Sequence, residues 1–548
     1  MNDANHYELV SAETVADDII IGEGELVELF KLSTPDYAPE GCESLYYRVT
    51  NGSFDRNENY YSLSDGAVLA TNTYFNIFSS SKYAEYTKAE NITFTTCVSG
   101  KMDICLHVYT TGEDEVIKHV PVYSDVPIEV SLEFNIKGLS DREKVTCHYV
   151  SFESKGFSKI HEFGRYSTNV EQRDVRLAVV ICTFRREEYV YRTVRALKNM
   201  IFDSSYNTKQ TDIFIIDNGK TLTEDICSES FIHLIPNRNL GGSGGFTRGM
   251  IEALEQNATH VLLMDDDIIL DPISVYKTLN LLKIAKDEYL DAFILGGMLN
   301  SDEPTIQHEA GSLYNGRFTK CKGDLDLLLP ESLIQNDLFE EVDYGGWWYA
   351  CMPTSVCDDN LPLPLFVKMD DIEYCLRNMD SHIIMNGVGV WHENFSKKQK
   401  KIGEHYYFER NSKIIKTLTE LKSASSTRDF WHEVLYLVSL SDYVSLSLYL
   451  RAISDYTKGV DFLLETDEEE LHAELQKIDV TDEAYHMSPG RLGAFAKLIF
   501  TKRFWKNLVR SSKVYLEYMK NCKRVSKEYR NRSNELMSTK MWKRRLNI

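Results

Sequence analysis

The sequence predicts an α/β protein in three parts: an N-terminal β-sandwich over residues 1–165, a doubly wound, mostly parallel α/β core over 166–402, and a helical region over 403–548. Three observations predict it. Short segments of alternating apolar and polar residues fill the first part, apolar runs separated by helical patterns fill the second, and helical periodicity with a basic end fills the third. A chain of 548 residues is too long for one hydrophobic core, so several domains are expected.

The first part is rich in β-strand patterns. Segments 44–49 and 128–134 alternate apolar and polar residues, and turn clusters at 51–52 and 64–66 separate such segments. Their lengths and spacing favour an antiparallel sandwich. No residue pattern here indicates chemistry.

The second part begins with an apolar run at 177–182, and further runs follow at 212–216, 231–235 and 260–264. Helical segments lie between them, the first over 187–199. This alternation predicts a doubly wound parallel sheet, whose ligands bind at the carboxyl ends of the strands. A polar cluster follows each run, so we expect the functional site at that edge.

The charge is unevenly distributed. The chain carries a net charge of −22, but residues 502–548 contain 15 Lys or Arg and three Glu, which leaves about −34 on the rest. So acidic a body argues against nucleic acid as a partner. The basic tail predicts attraction to an anionic membrane surface. The alternative is a basic helix pair that meets the acidic body of a neighbouring subunit.

The eleven cysteines show no CxxC pair or other metal-ligand spacing, which predicts reduced thiols in a cytosolic protein. The first 18 residues lack the pattern of a signal peptide. No run of 18 apolar residues occurs, and the nearest, 435–450, is interrupted by Asp442 and several serines. It predicts a buried or interfacial helix rather than a membrane span.

Asp265, Asp266 and Asp267 directly follow an apolar strand pattern. Three adjacent carboxylates repel one another unless a cation binds. Alternate residues of an extended segment point the same way, so Asp265 and Asp267 can converge. Their hard oxygen ligands favour Mg²⁺ or Mn²⁺, which also hold a diphosphate. The alternative is an acidic surface turn.

Asp370 and Asp371 form a second carboxylate pair, followed by a helical pattern over 372–377. Inverting sugar transfer needs a carboxylate that takes the proton of the attacking hydroxyl. A helix N-terminus would stabilise the ionised form of such a base. The alternative is an N-cap Asp with an acidic neighbour, and the two roles can coexist.

Residues 239–245 are rich in glycine and could cradle a phosphate with backbone N–H groups, although they match neither a P-loop nor a dinucleotide-binding pattern. The phosphate interpretation depends on the position of these residues, which lie one helix before the Asp triplet.

Residues 345–349 lead from two glycines into Trp347, Trp348 and a tyrosine. Adjacent indoles favour a platform that faces a sugar. The alternative is a buried tryptophan beneath a loop of the site.

Arg185 and Arg186 follow the first core strand, where a nucleotide diphosphate would lie. The sequence leaves open which of them points inward, and both could be solvated surface residues.

Together these segments resemble the family 2 glycosyltransferases of GT-A fold, most closely the polymerising galactofuranosyltransferases of mycobacterial cell-wall galactan. The resembling segments are 180–185, 217–218, 239–246, 265–267, 296–300, 347–348, 364–371, 390–392 and 410–411.

The resemblance implies roles for individual residues. Asp265, Asp267 and His392 would bind Mn²⁺ or Mg²⁺, although a lone histidine after an apolar strand is more often structural. Asp371 would be the general base, with Asp370 beside it. The donor, a uridine diphosphate sugar, would contact Thr183, Phe184, Arg185, Asp217, Asn239 and Asp266, and the acceptor would contact Trp347, Trp348 and His308.

The resemblance further implies transfer from UDP-galactofuranose to a lipid-linked glycan acceptor, by a homo-oligomer that lies in the cytoplasm at the inner face of the membrane. Transfer from dTDP-rhamnose is one alternative. Another is a carbohydrate-binding protein with an inactive transferase domain. Ser312 departs from the family pattern, which places an acidic acceptor contact there.

Overall fold

The computed structural model describes residues 26–202, 210–394, 400–419, 427–480 and 501–548. A β-rich region, an α/β core and a helical region follow one another, which agrees with the predicted order. The elements of the β-rich region are β1 (Val27–Lys31), β2 (Arg48–Thr50), β3 (Phe54–Arg56), β4 (Tyr61–Leu63), β5 (Val68–Ala70), α1 (Ser80–Tyr86), β6 (Asn91–Thr110), β7 (Glu113–Asn135), β8 (Cys147–Ser154) and β9 (Ser158–Thr168).

Hydrogen bonds join the nine strands of this region into one antiparallel network in the order β2-β5-β8-β6-β9-β4-β3, with β1 on β9 and β7 on β6. The 20-residue strand β6 pairs with β8 along one half and with β9 along the other, and its register shifts at Val98. The network is thus continuous through β6, and the division into two packed sheets stays a prediction. Segment 128–134 lies within β7, but 44–49 is largely a turn that becomes β-strand only at Arg48.

The α/β core has a mixed sheet at its centre. Its elements are β10 (Leu177–Thr183), α2 (Glu187–Phe202), β11 (Thr211–Asp217), β12 (Ile232–Pro236), α3 (Gly241–Glu255), β13 (His260–Asp265), β14 (Ile269–Leu270), α4 (Ile273–Ile284), β15 (Phe293–Leu295), β16 (Gly297–Asn300), β17 (Ile306–Glu309), β18 (Ser312–Tyr314), β19 (Phe318–Lys320), β20 (Leu325–Asp326), α5 (Pro330–Asp337), β21 (Ala350–Pro353), α6 (Asp370–Asn378), β22 (His382–Ile383) and β23 (Gly389–His392).

The central sheet has seven strands in the order β12-β11-β10-β13-β21-β15-β22. Only β21 runs against the others, because it pairs antiparallel with both β13 and β15 while the remaining pairings are parallel. The four predicted core strands correspond to β10, β11, β12 and β13, and the sheet is mostly parallel as predicted. A second sheet, β14-β23-β16-β17-β20, lies beside the end of β13.

Helix α4 joins the β-rich region to the core. Its side chains are buried along its whole length, and one hydrophobic core is continuous across both regions. The Lys277 ammonium donates to the Phe75 carbonyl at 2.6 Å, and the Asn280 amide donates to the Leu29 carbonyl at 3.1 Å. The first two predicted domains therefore share a core, and β9 runs to Thr168, beyond the predicted boundary at 165.

The helical region begins with a π-helical turn (Gly403–Tyr407). The helices that follow are α7 (Phe408–Leu418), α8 (Thr427–Ser439), α9 (Tyr443–Thr457), α10 (Val460–Glu465), α11 (Glu468–Val480), α12 (Lys502–Asn531), α13 (Ser533–Met537) and α14 (Thr539–Leu546).

Segment 435–450 was expected to be one helix, but it belongs to two. The chain breaks at Ser441, which has a positive φ of 57°, and the Asp442 carboxylate caps α9 by accepting the N–H of Ser445. Among the helices that the structure describes, none is long and apolar enough to cross a membrane.

The end of the basic tail packs on the body of its own chain. Trp542 of α14 is buried, and its indole N–H donates to the Pro362 carbonyl at 2.8 Å. Arg545 pairs with Glu468 at 2.5 Å, and Lys543 pairs with Glu255 at 2.7 Å. These basic residues thus meet the acidic body within one chain, an arrangement that the sequence interpretation did not consider.

Residues 241–245 are the first turns of α3 rather than a free glycine-rich turn. A Cβ on Gly245 would lie 2.1 Å from the sulfur of Cys182, and one on Gly249 would lie 2.1 Å from Val180 Cγ1. These glycines therefore let α3 pack closely against β10, and their spacing reflects helix–strand contact.

Gly249→Ala is expected to lower the free energy of unfolding by about 1–3 kcal/mol, because the added methyl group overlaps Val180 inside a packed core. Gly156→Ala, whose Cβ would meet Lys101 at an ordinary 3.7 Å, is the control. Urea unfolding followed by circular dichroism measures both. A Gly249→Ala protein as stable as the wild type would contradict this packing.

Candidate active site

The Asp triplet lies where the two sheets of the core meet. Asp265 is the last residue of β13, and the chain turns through Asp266 and Asp267 into β14. Strand β14 pairs with β23 so that Ile269 faces Trp391, which places His392 beside the triplet. The His392 Nε2 atom lies 3.1 Å from Asp267 Oδ1 and 3.9 Å from Asp265 Oδ2.

Asp265, Asp267 and His392 form a candidate metal centre. One ligand atom of each lies within 4.8 Å of the others. The Nδ1 atom of the buried His392 lies 2.7 Å from the Glu393 carbonyl oxygen, which can only accept, so the proton is assigned to Nδ1 and the Nε2 lone pair is left for a cation. Two carboxylates and one imidazole suit Mn²⁺, or Mg²⁺ with further oxygen ligands.

The electrostatics of the triplet favour a bound cation. Burial raises the pKa of Asp265 to about 7, and although His392 opposes this shift, Asp267 adds to it. Burial also raises the pKa of Asp266 against the opposing charge of Arg186. The cluster is therefore short of positive charge.

Arg186, and not Arg185, points into the cluster. Its Nη1 atom lies 2.8 Å from Asp266 Oδ1 and 2.6 Å from Asp267 Oδ2. Arg185 has a positive φ of 59° and is exposed, with its guanidinium 5.0 Å from the ring centre of Phe184. The positive φ of Arg185 is not evident from the sequence pattern, which left open which arginine points inward. Arg186 is the one that pairs with the triplet, and donor contact by Arg185 stays a prediction.

The other predicted donor contacts lie along the same edge. The Thr183 hydroxyl donates to Asp266 at 2.8 Å, and the Phe184 ring is 43% exposed. The Asp217 carboxylate accepts the N–H groups of Gly219, Thr221 and Leu222 and so shapes the turn after β11.

Asn239 lies before the glycine-rich start of α3. Its side-chain oxygen accepts the Gly241 N–H at 3.1 Å, and its amide group donates to Glu469 at 3.1 Å. The structure thus gives Asp217 and Asn239 local structural roles, and nucleotide contact by these two residues stays a prediction.

Asp370 and Asp371 form the first turn of α6, so the helix begins at the pair and not after it. Burial raises the pKa of Asp371 to about 6, although the Ile372 N–H, which donates to its carboxylate at 2.8 Å, and Lys368 oppose the shift. Burial, and then the charge of Asp371, raise the pKa of Asp370 well above its usual range. Of the two carboxylates, Asp370 is therefore the one whose neutral form is more strongly favoured, and Asp371 is the one that ionises more readily.

The pair and the triplet lie at the same edge of the sheet. Asp265 is among the charges that raise the pKa of Asp370. Burial raises the pKa of the Cys182 thiol in β10, and the charges of Asp265 and Asp370 both add to that shift. A Cβ on Gly242 of α3 would lie 3.5 Å from Asp370 Oδ2. The metal ligands and the candidate base thus flank the start of α3.

Trp347 and Trp348 are both buried, at 4% and 5% exposure. Trp347 lies between the rings of Phe246 and Tyr374, with ring centres 5.2 and 6.0 Å away, and the Trp348 indole N–H donates to the Gly296 carbonyl. Neither ring is exposed enough to stack on a sugar, so the predicted sugar-facing platform is wrong. The structure agrees instead with the alternative, in which the tryptophans are buried beneath the site. Contact with an acceptor stays a prediction.

His308, also predicted near the acceptor, is half-buried in β17, where burial and Lys320 lower its pKa. Its neighbour Glu309 is a buried carboxylate that sequence reasoning missed. The Glu309 carboxylate accepts a hydrogen bond from the Ser312 hydroxyl at 2.7 Å. Burial raises the pKa of Glu309, and the charge of Asp371 adds a smaller increase. An acidic residue that ends a strand, as Asp265 does, was the available signal.

Comparisons with known proteins show which sequences this chain resembles. Residues 178–339 match the family model for Glycosyl transferase family 2, a span that includes the Asp triplet and ends before Asp370 and His392. The galactofuranosyltransferase GlfT2 of Mycobacterium tuberculosis is 26% identical over 426 residues, 71% of this chain and 65% of that protein. GlfT2 of Mycolicibacterium smegmatis is 25% identical over 425 residues, 71% of this chain and 64% of that protein.

This chain therefore spans 65% and 64% of the two relatives, slightly less than two thirds of their lengths. The solved structure of a xylan-binding module is 9% identical, with a TM-score of 0.18, and covers 27% of this chain and 97% of the module. A TM-score so low supports no inference.

Asp267→Asn and His392→Ala are each expected to weaken Mn²⁺ binding about tenfold or more, because each removes a ligand atom. Isothermal titration calorimetry measures the affinity, with the exposed Asp65→Asn as control. Affinity should also fall as the pH drops below about 7, where a proton competes for Asp265. Equal affinity in all variants would contradict the assigned centre.

Proposed function

We propose that this chain, which carries a family 2 glycosyltransferase domain and resembles mycobacterial galactofuranosyltransferases, is an inverting, metal-dependent galactofuranosyltransferase. It would transfer galactofuranose from UDP-galactofuranose to a lipid-linked glycan acceptor. The observation that carries the proposal is the pairing of two sites at one sheet edge: a metal-ligand cluster, and a separate ionised carboxylate at a helix start.

In this proposal each part of the reaction is carried by particular residues. Asp371 accepts the proton of the acceptor hydroxyl as that oxygen attacks the anomeric carbon, and the bond from that carbon to the diphosphate oxygen breaks. Asp370 lies beside Asp371 in the first turn of α6, and its carboxyl group can form a hydrogen bond with the acceptor. Mn²⁺ or Mg²⁺ held by Asp265, Asp267 and His392 would offset the charge of the leaving diphosphate.

Two further residues support the donor site. Arg186 contacts Asp266 and Asp267 and lies where a diphosphate would add negative charge. The exposed Phe184 ring offers a surface on which a nucleotide base can stack. Inversion follows from a single displacement in which one carboxylate acts as base and no nucleophilic side chain intervenes.

The identity of the sugar rests on the two relatives, because nothing in the described residues distinguishes galactofuranose from rhamnose. A donor screen with purified protein, Mn²⁺ and a galactofuranosyl glycoside tests it. Transfer from UDP-galactofuranose is expected. Transfer from dTDP-rhamnose alone would replace the proposed donor, and glycan binding without transfer from any donor would favour an inactive carbohydrate-binding protein.

Asp371→Asn is expected to lower kcat by about 10²–10⁴-fold, because an amide cannot accept the hydroxyl proton. Its Mn²⁺ affinity should match that of the wild type. With Mn²⁺ kept saturating at every pH, the wild-type rate should fall as the pH drops below about 6, where Asp371 takes up a proton, and the residual rate of the variant should not show this fall. Asp380→Asn, an exposed change just after α6, is the control, and an unchanged rate in Asp371→Asn would exclude this base.

We further propose that the protein works in the cytoplasm as a homo-oligomer and touches the inner face of the membrane through α12. Trp505, Val509, Leu516 and Met519 are exposed, and their spacing places them on one face of that helix. The helix carries ten Lys or Arg and two Glu, which suits an anionic lipid surface.

Val509→Asp combined with Leu516→Glu should reduce co-sedimentation with phosphatidylglycerol vesicles several-fold, because both changes place charge on the face that would enter the lipid interface. Point changes are preferable to removal of 502–548, because Trp542 and Arg545 hold the tail to the body. Leu329→Glu, at an exposed residue before α5, is the control. Equal sedimentation of all proteins would contradict membrane contact through α12.

A further inference from the structure

The segment that leads into the carboxylate pair has an unusual backbone. Phe366, Lys368 and Met369 all have positive φ, of 71°, 68° and 73°. None is glycine, and each such residue costs about 1–2 kcal/mol relative to a right-handed conformation. Because the next residue is Asp370, this backbone sets the position and direction of the pair, and the surroundings must hold it in place.

Asn411 of α7 holds this segment from the side of the helical region. Its Nδ2 atom lies 3.2, 3.0 and 2.9 Å from the carbonyl oxygens of Leu365, Val367 and Lys368. On the opposite side, the Ser243 N–H of α3 donates to the Phe366 carbonyl at 3.1 Å. The segment is therefore fixed between the starts of two helices.

Arg410 fixes the orientation of the Asn411 amide. Its Nε–H donates to Asn411 Oδ1 at 3.0 Å, so the NH₂ group of the amide must face the segment. Its Nη2 atom also donates to the Leu365 carbonyl at 2.8 Å. The two side chains act together on the same stretch of backbone.

The burial of Arg410 is costly. It is 2% exposed, and no carboxylate of the described residues forms an ion pair with it. The rings of Tyr406 and Tyr407 lie 5.5 and 5.3 Å from its guanidinium, and Glu468 contributes only a more distant charge. A buried charge that loses its hydration must be compensated by hydrogen bonds, and those of Arg410 go to Asn411 and to the Leu365 carbonyl.

From this geometry we infer that Asn411, oriented by Arg410, is a positioning residue for sugar transfer, because it holds residues 365–369 in the conformation that presents Asp370 and Asp371 to the acceptor. The inference rests on the proposed function. Asn411 touches no reacting group. The helical region would therefore complete the catalytic geometry of the α/β core, since a misplacement of about 1 Å can cost 10²-fold in rate.

The test compares Asn411→Ala with the matched control Asn386→Ala. Asn386 is equally buried, and its amide donates to the Leu333 carbonyl away from the site. Asn411→Ala is expected to lower kcat by about 10–100-fold, to leave KM for the donor within about twofold, and to leave Mn²⁺ affinity unchanged. Arg410→Lys, which keeps the charge and loses the guanidinium fork, should show a smaller loss of kcat, and Asn386→Ala should keep the wild-type kcat.

Hydrogen–deuterium exchange of residues 364–372 gives a readout that does not depend on activity. It should become faster in Asn411→Ala and remain unchanged in Asn386→Ala. The inference is overturned if Asn411→Ala keeps wild-type kcat and exchange, or if both variants lose kcat only in proportion to their loss of folded protein. If the wild-type protein transfers no sugar, the proposed function fails, and the exchange result alone decides whether Asn411 holds the segment.

Discussion

The concentration of negative charge at one edge of the central sheet is the constraint on which the rest of the structure depends. Asp265, Asp266, Asp267, Asp370 and Asp371 meet there, and burial raises the pKa of four of them. Arg186 and the start of α6 compensate only part of this charge. A divalent cation held by Asp265, Asp267 and His392 would supply further positive charge to this edge.

Three contacts between distant parts of the chain build this edge. The pairing of β14 with β23 brings His392 to the triplet. The glycines of α3 allow that helix to approach β10, so its start lies beside Asp370. Asn411 of α7 holds the strained segment before the carboxylate pair. The catalytic geometry therefore depends on both sheets and on the helical region, beyond the span of 178–339 that matches the family.

The sequence was informative where chemistry depends on local order. The apolar runs before Asp217 and Asp265 predicted β11 and β13, because residues buried on both faces of a parallel sheet must be apolar. The sequence was misleading where the backbone direction or the packing of distant residues determines how a side chain is placed. The left-handed φ of Arg185 turns Arg186 inward, the glycines of 241–245 serve helix packing, and the two tryptophans are covered by neighbours that lie far away in sequence.

The central claim is that Asp265, Asp267 and His392 bind one cation beside the base Asp371. Anomalous diffraction from crystals grown with Mn²⁺ and UDP tests it most directly. The account predicts one manganese peak ligated by these three side chains and by the diphosphate, with the Asp371 carboxylate facing the open side of the donor site. A manganese peak elsewhere, or a diphosphate bound away from the end of β13, would contradict it.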